Sequence, residues 1–355
     1  MGESKKRELW IDYTRGTALI MVVLAHSQVP EKMFAFISYV IVVFPFLSGY
    51  LMKALSFREF FKKRITMVIS YYYIGLIGYI VWIITVPEGF RKADNLTYLK
   101  NFLLVRTDLL DQIPLTIVPL WYLIFLFVAE FFFLLFSKFQ ILPYTLALGI
   151  FLRFIQPGAL PFKVDVAFSG LYMFWLGKLV KEKKKDFERY LGVIGFTGLI
   201  VWTLVALFVD GTSWNMDHYG INPILTLAGE LGTAMFFLWI GKDIEQFAIN
   251  STNKDGLMRR FIAKYVLYIP KLFSDNAIFA FGYHILIGGL VVLFTMALGF
   301  VVTEETLRQY WYIAFALTFG AMTMLMVLLP NSVKLLLTQP DLFVNGLRKE
   351  RSSEK

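Results

Sequence analysis

Between Leu9 and Gln28 the chain reads LWIDYTRGTALIMVVLAHSQ, a helix-forming stretch long enough to cross hydrocarbon that nevertheless carries Arg15 and His26. An α-helix turns about 100° and rises about 1.5 Å per residue, so eleven residues make about three turns plus 20° over about 16 Å. Arg15 and His26 therefore share one face. Ionisable groups in a bilayer cost a few kcal/mol each on insertion scales and so turn toward protein or a wet cavity. One face of this helix is predicted to line a polar path through much of the membrane.

The rest of the chain fits that setting. Of 355 residues, 57% are hydrophobic and only 17% charged, far more apolar than a soluble domain. The first apolar segment runs about 20 residues and keeps its Arg and His, whereas a cleavable signal has a shorter apolar region ending at small residues. It is predicted to be a permanent helix. With no cysteine, disulfides, thiolate metal sites and an acyl-cysteine intermediate are excluded. The net charge of +9 arises from short Lys/Arg runs between apolar segments, which reads as membrane topology and not as a nucleic-acid surface.

Apolar segments of spanning length fall approximately at 9–29, 33–54, 65–86, 115–137, 139–155, 164–180, 190–209, 223–241, 276–302 and 309–329. The expectation is an all-α membrane protein of about ten transmembrane helices. Arg153 and Asp165 near the ends of the short fifth and sixth segments leave a count of nine to eleven. With the N-terminus inside, 26 basic residues fall on the inner side and 8 on the outer, so both termini are expected in the cytoplasm of a multi-pass protein of the cell membrane. The chain reads as a single domain over 1–355, with a short N-terminal segment 1–8 and a tail 330–355. The run Lys181 to Arg189 is a stop-transfer anchor, with binding of donor phosphates as its functional alternative. Ser56 to Lys63 gathers Phe57, Phe60 and Phe61 on one face, and Leu257 to Phe273 mixes basic and apolar residues, so two interfacial amphipathic helices are expected. There is no internal repeat and no soluble domain.

Several residues could carry chemistry. Asp12 stands three residues before Arg15 and can pair with it, while a snorkelling Arg15 is the bland alternative. Ser48 and Gly49 are small residues of the kind that let membrane helices approach, and Ser48 could instead hydrogen-bond a substrate. Ser274, Asp275 and Asn276 suit a helix N-cap. His284, about 12 Å along the same helix, would then lie inside the bilayer. Structural ion pairing is expected for Glu130, Glu230 and Arg153, and an aromatic belt for Trp121 and Tyr122. His218 falls in an outer connection. No phosphate-binding glycine loop, metal-spaced His and acid cluster or Ser/His/Asp pattern is present.

At these residues the sequence resembles the integral-membrane acyltransferase 3 family, and within it the fucose 4-O-acetylase-like proteins. The strongest block is WIDYTRGTALIMVVLAHS, in which Arg15 and His26 match the family's arginine and histidine. FPFLSGYL followed by FFKKRITMVISYYY, then PLWYLIFL, LYMFWLGKLV and SDNAIFAFGYHILI, follow in the family's order. Two positions depart: Val40 and Val42 stand where relatives often have a histidine and a proline, and Met67 where many have a second arginine after Arg64. The resemblance implies transfer of an acyl group, usually acetyl from cytoplasmic acetyl-CoA as donor substrate with no bound cofactor, to a hydroxyl of a polysaccharide, glycolipid or lipid-linked sugar. It implies His26 and Arg15 as catalytic residues, Arg15 and Arg64 at the donor, and Ser48, His284, Trp121 and Asp12 shaping the site, with no metal. A histidine suits general-base work near neutral pH. Without cysteine, and with no base beside Ser48 in sequence, a direct transfer is simpler than one through an acyl-enzyme. The rival readings are a transporter or flippase of a glycan or acyl carrier, and a non-catalytic export component.

Overall fold

The computed structural model describes residues 8–344 except 54, 157, 159, 210, 254–260, 262, 263, 265 and 266. Among them the regular secondary structure is helical, with no strand and one isolated bridge between Ser213 and His218. That is what hydrocarbon demands, because a helix satisfies its own N–H and C=O groups where water cannot.

Among the described residues seven helices are long and apolar enough to cross a membrane. Glu31–Leu51 joins α2 (Glu31–Ser38) to α3 (Val43–Leu51) through a 3₁₀ turn, and α4 covers Phe57–Thr85. After α5 (Asn95–Leu103), Val118–Lys138 contains α6 (Trp121–Lys138). The remaining four are α10 (Leu191–Phe208), Pro223–Ser251 within α11 (Pro223–Asn253), α13 (Ala277–Ala297) and, after the short α14 (Glu304–Gln309), α15 (Trp311–Leu328). Three further helices coincide with the other expected spans: α1 (Leu9–Ala25, 17 residues), α7 (Leu142–Ile155, 14 residues) and α8 (Val164–Glu182, 19 residues). They are shorter or more charged, so the expected ten exceeds the seven that length and hydropathy support alone. The molecule is an all-α membrane protein.

Helix α1 is central, packing on α11, α13 and the short α12 (Tyr268–Asp275). Its approach to α12 requires Gly16, where a Cβ would lie 1.7 Å from the Pro270 carbonyl oxygen. The same device closes α3 onto α8: a Cβ on Gly49 or Gly177 would meet the opposite backbone at 2.0 Å, the use anticipated for Gly49. At one end of the bundle Glu8 accepts hydrogen bonds from Trp10 Nε1 (2.8 Å), Tyr50 (2.9 Å) and Lys184 Nζ (2.9 Å). Lys184 belongs to α9 (Lys184–Arg189), so the basic run Lys181 to Arg189 lies at the same end as the start of α1.

At the opposite end three connections lock together. Buried Lys163 donates to Asp108 (2.9 Å) and to the Asn215 carbonyl (2.8 Å), while the Asn215 amide donates to Thr107 O (2.8 Å). Burial pushes the Asp108 carboxyl up, but Arg106 and Lys163 outweigh it and hold the group below its usual range. At Asp217 the Tyr219 hydroxyl, Arg153 and Lys163 pull the same way but do not outweigh burial. Burial, reinforced by the nearby Asp165, raises it to about 6.

Some expectations are corrected. Ser56 to Lys63 is no separate interfacial helix but the opening of α4, started by Ser56 and Glu59 in a reciprocal capping box. Its phenylalanines meet Phe127 and Phe131 of α6, with Phe60 to Phe127 at 5.4 Å, so protein buries Phe60 on the face that would have rested on lipid while Phe61 stays exposed. The second amphipathic segment falls largely on residues outside those described, and only its end is seen, as α12. Trp121 is not part of an interfacial belt. It is buried and packs on Tyr122 and Phe125, because α6 enters among other helices and not at the lipid boundary.

Candidate active site

Helix α1 carries Arg15 and leads to His26 along one side. His26 is the first residue beyond the helix and its side chain is exposed. Its Nδ1 lies 2.8 Å from Val22 O, and a ring nitrogen facing a carbonyl must carry the proton. In the neutral ring the lone pair is then on Nε2. His284 of α13 touches His26 edge-on, with ring centroids 4.8 Å apart. It is buried, and its Nδ1 faces Phe281 O at 3.0 Å and Ala280 O at 3.2 Å. The same argument puts its lone pair on Nε2, which has no hydrogen-bond partner among the described residues. Two histidines distant in sequence thus form one centre, one accessible and one enclosed.

Below them, toward the end where α1 begins, lie two cavities with Arg15 in the wall of both. The larger, about 990 Å³, has a polar rim that includes Ser274, Asn276, Asn331, Lys334 and Gln339. The smaller, about 240 Å³, is a mostly apolar slot lined by Phe44, Leu47, Leu123 and Phe281, with Ser48, Arg64, Glu130 and Tyr122 among them. Arg64 Nε stands 2.6 Å from Glu130 Oε2, and Ser48 hydrogen-bonds the same carboxylate. The Tyr122 hydroxyl is buried without a partner among the described residues.

Arg15, Ser48 and Arg64 are therefore brought together, and His26 meets His284. Asp12 reaches the larger cavity indirectly: its Oδ1 accepts from Ser274 Oγ at 3.3 Å. Trp121 does not line either cavity; its neighbour Tyr122 does. Asn276 holds the N-cap position of α13, yet its side chain caps nothing and donates instead to Leu272 O (2.8 Å), while Asp275 pairs with Lys271. The short α12 leads directly into α13, so the preceding helix claims those side chains. Glu130 pairs as expected of it, but in the wall of a cavity, a placement its position in an apolar helix does not disclose. Arg153 and Glu230 also pair, at 2.7 Å, and neither lines either cavity.

An arginine beside two cavities, on the helix that leads to a pair of touching histidines, is equipped to hold an anionic donor and to move a proton at the far end. No curated protein and no solved structure matches the chain significantly. The family model described as an acyltransferase domain, that of the acyltransferase 3 family, matches residues 8–327. Spanning most of the chain, from Glu8 ahead of α1 to the last turn of α15, that match shows that the protein belongs to the acyltransferase 3 family and is a membrane acyltransferase.

Proposed function

We propose that the protein transfers an acyl group, acetyl in the simplest case, from cytoplasmic acyl-CoA to a hydroxyl of a cell-surface polysaccharide, glycolipid or lipid-linked sugar, as a fucose 4-O-acetylase-like branch of its family. The observation that carries this reading is the placement along α1: Arg15 stands in the walls of both cavities, and His26, accessible and touching His284, lies at the other end. Both termini are cytoplasmic in this reading, so the larger cavity opens to the donor's side. Its volume of about 990 Å³ suits a nucleotide, at the upper end of small-molecule sites of about 300–1,000 Å³. The slot of about 240 Å³ suits a slender arm. Arg15 meets a donor phosphate through its planar fork. Arg64, already paired with Glu130, flanks the arm and is a weaker phosphate contact than its charge alone suggests.

The acceptor hydroxyl approaches from the outer side and loses its proton to His26 Nε2 as its oxygen attacks the thioester carbon directly. His284, enclosed behind the first ring, fixes its position. General-base help is worth about 10² to 10⁴-fold. His26→Ala is therefore expected to abolish nearly all transfer with donor binding intact, and His284→Ala to act more mildly. Mass spectrometry of surface glycans from a deletion strain, compared at matched protein level with strains carrying each variant, tests this. Full acetylation in His26→Ala would overturn it. A transporter would neither bind nor slowly hydrolyse acetyl-CoA, so the purified protein separates the two classes.

A further inference from the structure

Tyr122 is left with a hydroxyl that neither the packing nor the chemistry above uses. It is 3% exposed, it lines the slot, and its oxygen has no hydrogen-bond partner among the described residues. A buried tyrosine hydroxyl normally finds one, and leaving it unmet costs about 1–3 kcal/mol. Its place in the slot can be read from its neighbours. The Tyr122 ring lies 5.2 Å from that of Phe281, which in turn lies 6.2 Å from His284. Glu130 stands eight residues further along α6, about 12 Å away by helical rise, with Arg64 and Ser48 at that end. The slot thus has a polar floor at the ion pair, whose Glu130 is within electrostatic reach of Tyr122, a lone hydroxyl in its wall, and Phe281 as the lining residue that leads to His284.

Resting on the acyl-transfer reading, we propose that Tyr122 is a further catalytic residue, whose hydroxyl donates a hydrogen bond to the carbonyl oxygen of the donor thioester. A phenol, with a reference pKa of about 10, is a donor at neutral pH. Ser48 is committed to Glu130, and Arg15 lies about 16 Å from His26 along α1, so Tyr122 is the slot's hydroxyl donor left uncommitted among the described residues. In the step, the acceptor oxygen bonds to the thioester carbon, and the carbonyl π pair moves onto oxygen, where Tyr122 holds the negative charge. His26 takes the acceptor's proton. As the carbonyl re-forms, the carbon–sulfur bond breaks and the departing thiolate takes the proton from His26, leaving free CoA thiol, the ester and neutral His26. A donor aimed where charge develops is worth about 10² to 10³-fold in turnover.

The test uses the full chain in lipid nanodiscs with acetyl-CoA as probe and water as acceptor, alongside S-ethyl-CoA, a thioether that lacks the carbonyl. Tyr122→Phe keeps shape and removes only the hydroxyl. The expected result is a fall in kcat for hydrolysis of about 10² to 10³-fold, with acetyl-CoA and S-ethyl-CoA affinities and the melting temperature near those of the wild type. An unchanged kcat overturns the role of Tyr122, as does a loss that tracks donor affinity or stability. If His26→Ala is inert in the same assay while Tyr122→Phe is fully active, the acyl-transfer reading stands and this proposal alone fails. A wild-type protein that neither binds nor turns over acetyl-CoA overturns both.

Discussion

Arg153 and Glu230 meet at 2.7 Å with side chains 1% and 0% exposed, whereas Arg64 and Glu130 meet at 2.6 Å with the arginine 33% exposed. The first pair is sealed. Tyr219, Tyr172 and Trp214 cover the guanidinium, the Tyr219 ring at 4.1 Å, and Tyr172 and Trp214 also donate to the Glu230 carboxylate. The second pair borders the slot, with Ser48 as its extra donor. Similar residues in similar apolar helices therefore do different work. A pair closed in by aromatic rings and hydrogen-bond donors joins helices, and a pair left beside empty volume is open to a ligand in the reading proposed above.

The sharpest way to break this contrast is to remove one acid from each pair. Glu230→Ala strands Arg153 in a closed interior, and leaving a buried charge uncompensated costs about 3–5 kcal/mol. We expect a large fall in melting temperature of the detergent-purified protein, and recovery of most of it when Arg153→Met is combined with Glu230→Leu. A single variant as stable as the wild type would show that the pair is not the sealed joint described. Glu130→Ala should cost less, about 1–3 kcal/mol, because Arg64 is within reach of water. Its larger signature should be donor affinity, about tenfold weaker in equilibrium binding of acetyl-CoA, or about 1.4 kcal/mol, since Arg64 loses its orientation at the slot. Unchanged affinity would reduce Glu130 to the same structural class as Glu230.

The smallest effect concerns the locked connections at the outer end. The raised pKa of Asp217, about 6 in the fold against the reference 3.8, means that the folded state prefers the protonated acid. Its stabilising contribution is complete below the unfolded value and is lost as pH rises through about 6. Between pH 5 and pH 8 the loss is about 1 kcal/mol. Hydrogen exchange over residues 211–219, corrected for intrinsic rates, should show stronger protection at pH 5 than at pH 8, and Asp217→Asn should flatten that dependence. Equal protection in the wild type at both pH values would contradict the assignment.

Much of the architecture was legible because it depends on local quantities. Helical membrane segments follow from run length and hydropathy, and the shared face of Arg15 and His26 follows from the pitch of one helix. The requirement for a glycine at position 49 likewise follows from how membrane helices approach one another. The misreadings were of another kind. Phe57, Phe60 and Phe61 form an amphipathic face whether lipid or α6 covers them, and Trp121 at a segment end looks like a belt residue until its neighbours are known. Asn276 has the right side chain for a cap, but a helix packed immediately before it takes its hydrogen bond.

What the sequence determined by itself is an all-helical membrane chain with one polar face on its first helix, because backbone satisfaction and helical periodicity act within a segment. Tertiary structure alone decided that His26 meets His284, that Arg64 meets Glu130 while Arg153 meets Glu230, and that Tyr122 rather than Trp121 lines the slot. Those outcomes depend on which distant helices pack together and on the volume their side chains fail to fill, and a cavity is a property of the whole packing that no single segment encodes.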